Sequence, residues 1–364
     1  MQVMITGGGT GGHTSPAIAI IEELQRRDPQ LTLRWVGRRG SIEERVCQNL
    51  SIPFRPVPVE GWPRSNPLKK ARAGARLALG VLSAFMHIQT FRPQVVIGVG
   101  GYVSVPAVWV AQRLKIPTIL HEQNKRLGMA NRLLARDASR LLLSFPDTLG
   151  DYPSERACVV GNPVRSGFYD APDRMKACEL LGLDPDIPVV LVCGGSQGAR
   201  TLNAAMQGLL PHVDKEEFQF LWMTGQSDAA MAREVAAKVA VRADVFPFID
   251  DMVSACAAAS VIVSRAGASS TAEIATLGKP SILIPYPHAT DDHQNENARA
   301  FEAVGAATLI SDGECSGDRL IQEIRAIFAN PERLAKMGSA AQALARPVAV
   351  ESIVDQIFAA VFPV

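Results

Sequence analysis

Short hydrophobic runs alternate with longer amphipathic stretches along the first half of the chain. The runs at residues 3–6, 95–98 and 118–120 have the length and composition of buried strands, and the stretches after them have the spacing of helices. The first helix is predicted to begin at Ser15 and Pro16, since the first turn of a helix tolerates proline.

The second half of the chain repeats this order of elements. Residues 189–193, 261–264 and 281–284 predict strands, and the glycine-rich stretch at 194–198 corresponds to 7–12 in the first half. Strands that alternate with helices form parallel sheets covered on both faces. The sequence therefore predicts an α/β protein with two Rossmann-like domains, and the repeated order makes a single long doubly wound sheet the weaker alternative.

A Gly-Asn-Pro tripeptide ending at Pro163 breaks the pattern and marks the predicted domain boundary. The N-terminal domain is predicted to cover residues 1–163 and the C-terminal domain residues 164–345, with a helix in 346–364 that returns to the N-terminal domain. Ligands of such sheets bind outside the carboxyl ends of the strands. We therefore expect the two parallel sheets to face a central cleft lined by both glycine-rich turns.

Composition and charge narrow the class of protein. The chain has 364 residues, enough for two domains, and its 37 Lys and Arg balance 36 Asp and Glu, for a net charge of +1. That balance argues against a nucleic-acid partner held by a global basic field. The six cysteines show no C-x-x-C spacing, which predicts reduced thiols. The first residues lack the charged region of a signal peptide, and no apolar run reaches the roughly 18 residues of a membrane span.

The first glycine-rich turn is ambiguous by itself. Gly7, Gly9 and Gly12 fit G-x-G-x-x-G, but no acidic residue follows on the next strand, and Arg38 and Arg39 leave an NADP site open. A tight structural turn is the other interpretation. The glycines would let a ligand approach backbone N–H groups at a helix N-terminus.

His13 stands at the entry to the first predicted helix. The positive end of the helix dipole disfavours a protonated imidazole there, and a neutral imidazole is what a general base requires. The alternative is a histidine that only caps or lines the turn, and position alone does not decide between the two.

A second group of polar residues, His121, Glu122, Gln123 and Asn124, directly follows the strand predicted at 118–120. Its place at the carboxyl end of a strand is the expected ligand edge. The spacing does not fit a zinc site of the H-E-x-x-H type. A purely structural loop is the alternative.

Two predicted turns in the second half carry further candidates. Ser269, Ser270 and Thr271 are candidate phosphate donors at a helix N-terminus. Glu273, predicted in the first turn of that helix, is either a capping-box carboxylate or an acceptor for two ribose hydroxyls. The adjacent acids at 291–292 leave a magnesium site open, but a solvated turn accounts for them equally, and no metal site is favoured.

Eight motifs resemble those of the MurG family, the UDP-N-acetylglucosamine transferases that convert lipid I to lipid II. They occur in the family's order, at residues 8–13, 100–106, 121–124, 161–165, 194–199, 248–252, 265–273 and 292–298. Each motif is weak alone, but the ordered set spans nearly the whole chain. The chain departs from the family pattern at residues 14–15, and at Lys125 and Arg126, which add charge beside the expected acceptor cleft.

The resemblance implies a GT-B glycosyltransferase fold and an inverting, β-1,4-forming transfer. N-acetylglucosamine would move from UDP-N-acetylglucosamine to the 4-hydroxyl of the muramic acid in undecaprenyl-linked lipid I, forming lipid II for peptidoglycan synthesis. No cofactor is implied as a requirement, and a divalent cation is not favoured. The protein would lie peripherally on the anionic cytoplasmic face of the bacterial inner membrane, with cell-wall synthesis proteins as further partners.

The resemblance also assigns roles to single residues. It makes His13 the catalytic base, the Ile249 backbone the reader of uracil, Glu273 the acceptor of ribose hydroxyls and Gln294 a contact of a sugar hydroxyl. The donor-binding set is Arg165, Ser196, Ile249, Met252, Ala268, Ser269, Ser270, Thr271, Ala272, Glu273 and Gln294, with the first two suited to phosphate or base contacts. The residues that would face the transferred sugar and the acceptor are Thr10, Gly11, Gly12 and Asn124.

Two other functions stay open. One is a UDP-N-acetylglucosamine epimerase on the same fold, which would need no lipid, and the other is a non-catalytic sugar-nucleotide-binding subunit of a membrane partner. Both glycine-rich halves and His13 occur in one chain, which favours a self-sufficient enzyme.

Membrane contact is predicted for residues 64–91. Five basic residues and no acidic one occur in this segment, an apolar run of helical spacing follows them, and Trp62 precedes the segment. A basic segment joined to an apolar helix is typical of an interfacial anchor. The alternative is an amphipathic helix that packs on its own sheet. The two interpretations are compatible if the apolar helix is partly core and the basic turn contacts anionic lipid. The basic residues are Arg64, Lys69, Lys70, Arg72 and Arg76, and the apolar ones are Leu77, Leu79, Val81, Leu82, Phe85, Met86 and Ile88.

Overall fold

The computed structural model describes residues 1–9, 11–63, 66–195, 197–289 and 292–362. The chain forms two compact units, of which one is Met1–Arg165 with Val348–Val364 and the other is Ser166–Pro347. The boundaries predicted from the sequence, after residues 163 and 345, lie just before these. Each unit holds one parallel sheet, so the prediction of two Rossmann-like α/β domains is confirmed.

The strands of the first unit are β1 (Gln2–Thr6), β2 (Thr32–Gly37), β3 (Phe54–Pro56), β4 (Val95–Gly98), β5 (Thr118–Glu122), β6 (Arg140–Leu143) and β7 (Ala157–Val159). They form one parallel sheet in the order β3-β2-β1-β4-β5-β6-β7. Val3, Met4 and Ile5 of the interior strand β1 are all fully buried, because a parallel sheet is covered on both faces.

Strand β5 is longer than its hydrophobic run predicted. The run ends at Leu120, but His121 and Glu122 continue the parallel pairing with Leu142 and Leu143 of β6. Both polar side chains are buried, so hydrophobicity alone placed the end of this strand too early.

The first unit also contains the helices α1 (Gly11–Arg27), α2 (Ile42–Asn49), α3 (Pro67–Phe91), α4 (Val105–Arg113) and α5 (Met129–Leu134). The predicted start of the first helix was wrong, since α1 begins at Gly11 and contains Pro16. Proline offers no N–H to the carbonyl four residues earlier, here that of Gly12, so the helix continues with one hydrogen bond fewer. His13 consequently lies in the first turn of α1.

The described part of the second unit contains six strands, β8 (Val189–Cys193), β9 (Gln219–Met223), β10 (Ala243–Phe246), β11 (Val261–Ser264), β12 (Ser281–Leu283) and β13 (Ala307–Leu309). They form a parallel sheet in the order β10-β9-β8-β11-β12-β13. The helices around it are α6 (Arg174–Leu181), α7 (Arg200–Leu209), α8 (Ala229–Ala236), α9 (Met252–Ala258), α10 (Ala268–Thr276), α11 (His293–Ala303), α12 (Gly317–Phe328) and α13 (Pro331–Ala343).

Both sheets have the same topological switch. The chain builds β1, β2 and β3 outward and then places β4 on the other side of β1, and it repeats this with β8, β9, β10 and β11. Ligands of such sheets bind at the switch, outside the carboxyl ends of the strands. The two glycine-rich turns follow β1 and β8, so each unit has one at its switch point.

The last helix, α14 (Ala349–Val361), belongs to the first unit. Ile353, Val354 and Ile357 are buried in the core that contains the apolar face of α1, and Arg27 of α1 pairs with Asp355. The first unit is therefore built from two stretches of the chain that are far apart in sequence.

Helix α3 turns its small residues toward the core and several large apolar residues toward solvent. Its buried positions are Ala73, Gly80, Ala84, Ile88 and Phe91. Its exposed large side chains include Leu79, Leu82, Phe85 and Met86, which are named here the α3 apolar surface. The helix is therefore partly core and partly unpaired surface.

The glycine-rich turn after β8 lies against the turn after β9. A Cβ added to Gly198 would lie 2.0 Å from the carbonyl oxygen of Thr224, and its φ of +76° is unfavourable for other residues. Gly195, in the same turn, has a φ of +85° but no heavy atom within 4 Å of such a Cβ. Position 198 therefore requires glycine because the Thr224 carbonyl lies so close, whereas at position 195 only the backbone conformation favours glycine.

We expect Gly198→Ala to lower the free energy of unfolding of the second unit by more than about 3 kcal/mol, because backbone strain and a steric clash add. Gly195→Ala is the matched control and should cost only about 1–2 kcal/mol for the left-handed backbone. Urea unfolding followed by circular dichroism measures both changes. Equal midpoints for the two variants would contradict the close packing of these turns.

Candidate active site

The carboxyl ends of β1, β4 and β5 bring three separate segments together at the switch point of the first unit. His13 lies with its Nδ1 3.1 Å from Oε1 of Gln123, which follows β5. Gly100, which follows β4, lies against the imidazole, because a Cβ there would be 2.9 Å from His13 Nδ1. The glycine leaves room for the ring, and Gln123 fixes its rotation.

Gln123 is part of a buried chain of hydrogen bonds. Its Nε2 donates to the carbonyl of Val99 at 2.9 Å and lies 2.9 Å from Nδ1 of His121. Nε2 of His121 in turn lies 3.1 Å from the carbonyl oxygen of Gly161. The chain of hydrogen bonds therefore runs from Gly161 through two side chains to His13.

His121 is fully buried within this chain of hydrogen bonds. Burial, with a smaller contribution from the nearby His13, lowers the pKa of its imidazole to about 4 and outweighs the opposing hydrogen bond to Gly161. The ring is therefore neutral near pH 7, so it has one nitrogen that donates and one that accepts.

The carboxylate of Glu122 organises the turn after β5. Its Oε1 accepts from the backbone N–H and the side-chain Nδ2 of Asn124, at 3.0 and 3.1 Å. Its Oε2 accepts from the N–H of Gly128 at 2.8 Å and from Nδ2 of Asn131 at 2.9 Å. The amide of Asn124, a predicted acceptor contact, is thereby held at the carboxyl end of β5.

The first glycine-rich turn is anchored by a residue that the sequence did not single out. Glu43 is fully buried, and its carboxylate accepts from the N–H of Gly9 and from the N–H of Arg38, each at 3.1 Å. The sequence led us to expect that backbone N–H groups of this turn point at a ligand. The N–H of Gly9 instead donates to the protein's own Glu43. Gly11 and Gly12 are the first two residues of α1.

In the second unit, α10 begins at Ala268 with Gly267 as its N-cap. Glu273 is its sixth residue, so the predicted place in the first turn and the capping-box interpretation are wrong. Burial raises the pKa of the Cys193 thiol to about 12, and the charge of Glu273 adds to the shift. Because Cys193 is the last residue of β8, the Glu273 carboxylate lies near the carboxyl end of that strand. Ala272, the residue before Glu273, is half-buried.

Helix α10 carries three of the predicted donor contacts in its first four residues, Ser269, Ser270 and Thr271. The hydroxyl oxygen of Thr271 lies 3.1 Å from the carbonyl oxygen of Gly267 and 3.0 Å from that of Ala268, so its one proton can bond back to the helix. The phosphate contact predicted for Thr271 stays a prediction. Ser269 is buried and Ser270 half-buried in the first turn, and their predicted phosphate contacts stay predictions as well.

Arg265 connects the turns around the switch point of the second unit. Its Nη1 donates to the carbonyls of Ile284 and Pro285, each at 3.1 Å, and pairs with Asp312. Asp312 also accepts from Oγ1 of Thr201 at 3.0 Å. Sequence reasoning gave this arginine no role, although a charged residue directly after a buried strand was the signal.

Helix α11 is fixed to the same turns. Gln294 accepts from the backbone N–H of Tyr286 with its Oε1 at 2.9 Å, which turns its amide nitrogen away from that backbone. Asn297 donates to the carbonyl of Ala266 at 3.0 Å. The predicted sugar contact Gln294 is therefore held at the carboxyl ends of β11 and β12.

The three other predicted donor contacts described by the structure, Ile249, Met252 and Arg165, lie in different elements. Ile249 is buried, and its N–H donates to Sδ of Met223 at 3.4 Å, which leaves its carbonyl as the stronger ligand group. Met252 is half-buried at the first position of α9. Arg165 is half-buried at the end of the first stretch of the first unit.

Thr10, Ser196 and Asp291 lie outside the part of the chain that the structure describes. Asp292, the other acid of the pair, accepts from Nδ2 of Asn295 at 2.6 Å in the first turn of α11. Across the described ranges, no three His, Cys, Asp or Glu side chains group as metal ligands would.

Comparison with known protein families identifies the class of enzyme to which this chain belongs. Residues 3–143 match the Glycosyltransferase family 28 N-terminal domain, and residues 189–353 match the Glycosyltransferase family 28 C-terminal domain. Together with the two parallel α/β units, these matches define a glycosyltransferase of the GT-B fold.

Two relatives carry the name UDP-N-acetylglucosamine–N-acetylmuramyl-(pentapeptide) pyrophosphoryl-undecaprenol N-acetylglucosamine transferase. The one from Halalkalibacterium halodurans is 37% identical over 355 residues, which cover 97% of this chain and 98% of the relative. The one from Listeria welshimeri is 37% identical over 359 residues, which cover 98% of this chain and 99% of the relative.

Solved structures agree with this assignment. MurG of Acinetobacter baumannii has a TM-score of 0.73 and 28% identity over 98% of both chains. UDP-GlcNAc 2-epimerase of Neisseria meningitidis, solved with UDP-GlcNAc, has a TM-score of 0.69 and 16% identity over 98% of this chain and 100% of that one, and so shares the fold alone. The chain belongs to the MurG family.

Buried His121 makes the stability of the first unit depend on pH. The ordinary pKa of 6.5 applies in the unfolded chain, and burial lowers the folded value to about 4. Between these values the unfolded state binds a proton that the folded state does not. The free energy of unfolding therefore falls as the pH falls through this window, by up to about 1.4 kcal/mol per pH unit, and this loss is absent above the window.

We expect His121→Gln to have a shallower fall in unfolding free energy than the wild type between about pH 6.5 and pH 4. The amide can still bridge Gln123 and Gly161 but does not titrate. His212→Gln, at an exposed position, is the control and should keep the wild-type slope. Urea unfolding at several pH values gives the slopes, and identical slopes for wild type and His121→Gln would show that His121 does not titrate in this window.

Proposed function

We propose that this chain transfers N-acetylglucosamine from UDP-N-acetylglucosamine to the 4-hydroxyl of the muramic acid in undecaprenyl-linked lipid I, forming lipid II for peptidoglycan synthesis. Its membership of the MurG family and the names of its relatives support this reaction. The observation in the structure that carries the proposal is His13, held by Gln123 at the carboxyl ends of β1, β4 and β5.

The transfer is a single displacement at the anomeric carbon. The acceptor oxygen forms a bond to C1 of the sugar as its proton moves to His13. The bond between C1 and the diphosphate oxygen breaks, and its electron pair leaves with UDP. The configuration at C1 inverts, and the sugar has oxocarbenium character while both bonds are partial.

The second unit would hold the donor. The Glu273 carboxylate accepts from the ribose hydroxyls, and the Ile249 carbonyl accepts from the uracil imide. Ser269 and Ser270 contact the diphosphate at the N-terminus of α10, where helix N–H groups stabilise the charge on departing UDP. Gln294 donates its amide N–H to a sugar hydroxyl, because its oxygen is bound to Tyr286. The other proposed donor contacts are Arg165, Ser196, Met252, Ala268, Thr271 and Ala272.

The first unit would hold the acceptor. Asn124, fixed by Glu122, faces the acceptor together with the start of α1, where Thr10, Gly11 and Gly12 precede His13. Each unit therefore carries its own part of the proposed site, the donor contacts in the second unit and the acceptor contacts in the first.

An epimerase is the second candidate, and it is less favoured. The solved epimerase shares only the fold at 16% identity, whereas relatives named as transferases are 37% identical over nearly the full length. An epimerase would need no lipid acceptor, which is the feature that separates the two functions.

We expect His13→Ala to lower kcat by about 10²–10⁴-fold, the range for a lost general base, while the Kd for UDP changes little.

Glu273→Ala should have the opposite effect, on UDP binding and not on the chemical step. It should weaken UDP binding by roughly 10- to 100-fold, since charge-assisted hydrogen bonds are worth about 1.5–3 kcal/mol. Calorimetry with UDP and transfer to a lipid I analogue give both quantities. A near-normal kcat in His13→Ala would remove the base assignment, and unchanged UDP affinity in Glu273→Ala would remove the ribose contact.

We also propose that the first unit binds an anionic bilayer through α3. Leu79, Leu82 and Met86 of the α3 apolar surface are 58%, 60% and 56% exposed, which is unusual for large apolar side chains on one helix face. Lys69 and Lys70 are exposed in the first turn of the same helix. Within the described ranges, no helix is both long and apolar enough to cross a bilayer.

Two of the five basic residues in this segment are paired with a carboxylate outside it. Glu60 lies outside the segment but pairs with Arg72 at 3.0 Å and with Arg76 at 3.2 Å. The segment itself contains no acidic residue, as the sequence shows, but folding brings the Glu60 carboxylate to two of its arginines. We therefore propose that Lys69 and Lys70 are the residues that contact the anionic lipid headgroups.

We expect Lys69→Ser with Lys70→Ser to weaken binding to phosphatidylglycerol vesicles by roughly 10- to 30-fold at low salt, since each lysine contributes about 1 kcal/mol near an anionic surface. The difference should shrink as salt rises. Leu79→Ser with Leu82→Ser should weaken binding at every salt concentration. Lys215→Ser with Lys238→Ser removes the same charge from the second unit and is the control. Vesicle flotation that gives equal binding for all four proteins would contradict the proposal.

A further inference from the structure

We propose that Gln123 sets the tautomer of His13 by holding the proton on Nδ1, so that Nε2 is the nitrogen that takes the acceptor's proton. Gln123 is a positioning residue in this scheme and does not touch the substrate. The inference rests on the proposed function only in that His13 is the base, because the tautomer itself follows from the hydrogen bonds of the first unit.

The orientation of the Gln123 amide is fixed by two groups. The carbonyl oxygen of Val99 can only accept a hydrogen bond, and it lies 2.9 Å from Nε2 of Gln123. The carbonyl oxygen of Gly161 likewise can only accept, so Nε2 of His121, 3.1 Å away, carries the proton of that ring. Nδ1 of His121 then has the lone pair and accepts from the same amide nitrogen at 2.9 Å. Both contacts place the amide oxygen on the side of His13.

The amide oxygen in turn fixes the proton on His13. Oε1 of Gln123 can only accept, and it lies 3.1 Å from Nδ1 of His13, so Nδ1 carries a hydrogen. A neutral imidazole has one N–H, and the lone pair is therefore on Nε2. Gly100 leaves room for the ring in this position, because a Cβ there would lie 2.9 Å from Nδ1.

This arrangement suits proton transfer from the acceptor hydroxyl. The O–H bond breaks, the proton bonds to Nε2, and the oxygen's electron pair forms the bond to C1. The imidazolium that results keeps its Nδ1–H bond to Gln123, which becomes charge-assisted and stronger. The proton stays on the ring, because an amide oxygen is too weak a base to take it. A neutral amide thus does the orienting work that a carboxylate performs behind the histidine of hydrolase triads.

The tautomer can be measured without the reaction. Protein labelled with ¹⁵N-histidine gives long-range ¹H–¹⁵N correlations that distinguish the two tautomers, and a His13→Gln spectrum identifies the His13 signals. At a pH where His13 is neutral, we expect a protonated Nδ1 and an unprotonated Nε2. A wild-type spectrum with the proton on Nε2 overturns the proposal, whatever the transferase activity.

Gln123→Met keeps the side-chain volume and removes both hydrogen-bonding groups. We expect the tautomer ratio to shift toward Nε2–H by roughly three- to tenfold, the size of one net hydrogen bond, and kcat to fall with an unchanged KM for the donor. Ser144→Ala is the control, because it removes a buried hydrogen bond of 2.9 Å to the carbonyl of Glu122 at the same sheet edge without touching His13.

The outcomes separate this proposal from the proposed function. An unchanged His13 tautomer in Gln123→Met, or an equal shift in Ser144→Ala, overturns the role of Gln123. A shifted tautomer with a normal kcat supports that role and contradicts His13 as the base. If Gln123→Met does not fold, the wild-type spectrum decides alone.

Discussion

Every strand of both sheets is parallel, and this constraint determines where chemistry can occur. Helices cover both faces of such a sheet, so side chains can reach a ligand only where the strands end and the turns leave the sheet. In the first unit these turns carry Gly100 and Gln123, with His13 in the helix that follows β1. In the second unit the glycine-rich turn follows β8, and Glu273 lies near the end of the same strand.

The same constraint places polar side chains inside the core. His121, Glu122 and Gln123 are each at most 2% exposed where β5 leaves the sheet. A buried polar group without a partner costs about 1–3 kcal/mol, so the hydrogen bonds among these residues permit few alternative arrangements. The positions of His13 and Asn124 therefore depend on the buried side chains of Gln123 and Glu122, to which they are hydrogen-bonded.

Much of the fold could be predicted from the sequence, and less of the site. The runs at 95–98 and 261–264 predicted β4 and β11 with their observed bounds, because these strands are buried along their whole length. Local rules failed where tertiary structure overrides them, as at Pro16, which lies inside α1. Glu43 was missed because its contact with Gly9 joins residues that are far apart in sequence, and no local pattern records such a contact.

The central claim is the transfer itself, and one assay tests it most directly. The full chain is incubated with UDP-N-acetylglucosamine labelled in the sugar, with and without a short-chain lipid I analogue. The account predicts one labelled sugar on the analogue, in β-1,4 linkage, for each UDP released, and no sugar product without the acceptor. An isomerised sugar without the acceptor, or donor binding with no transfer when the analogue is present, would contradict it.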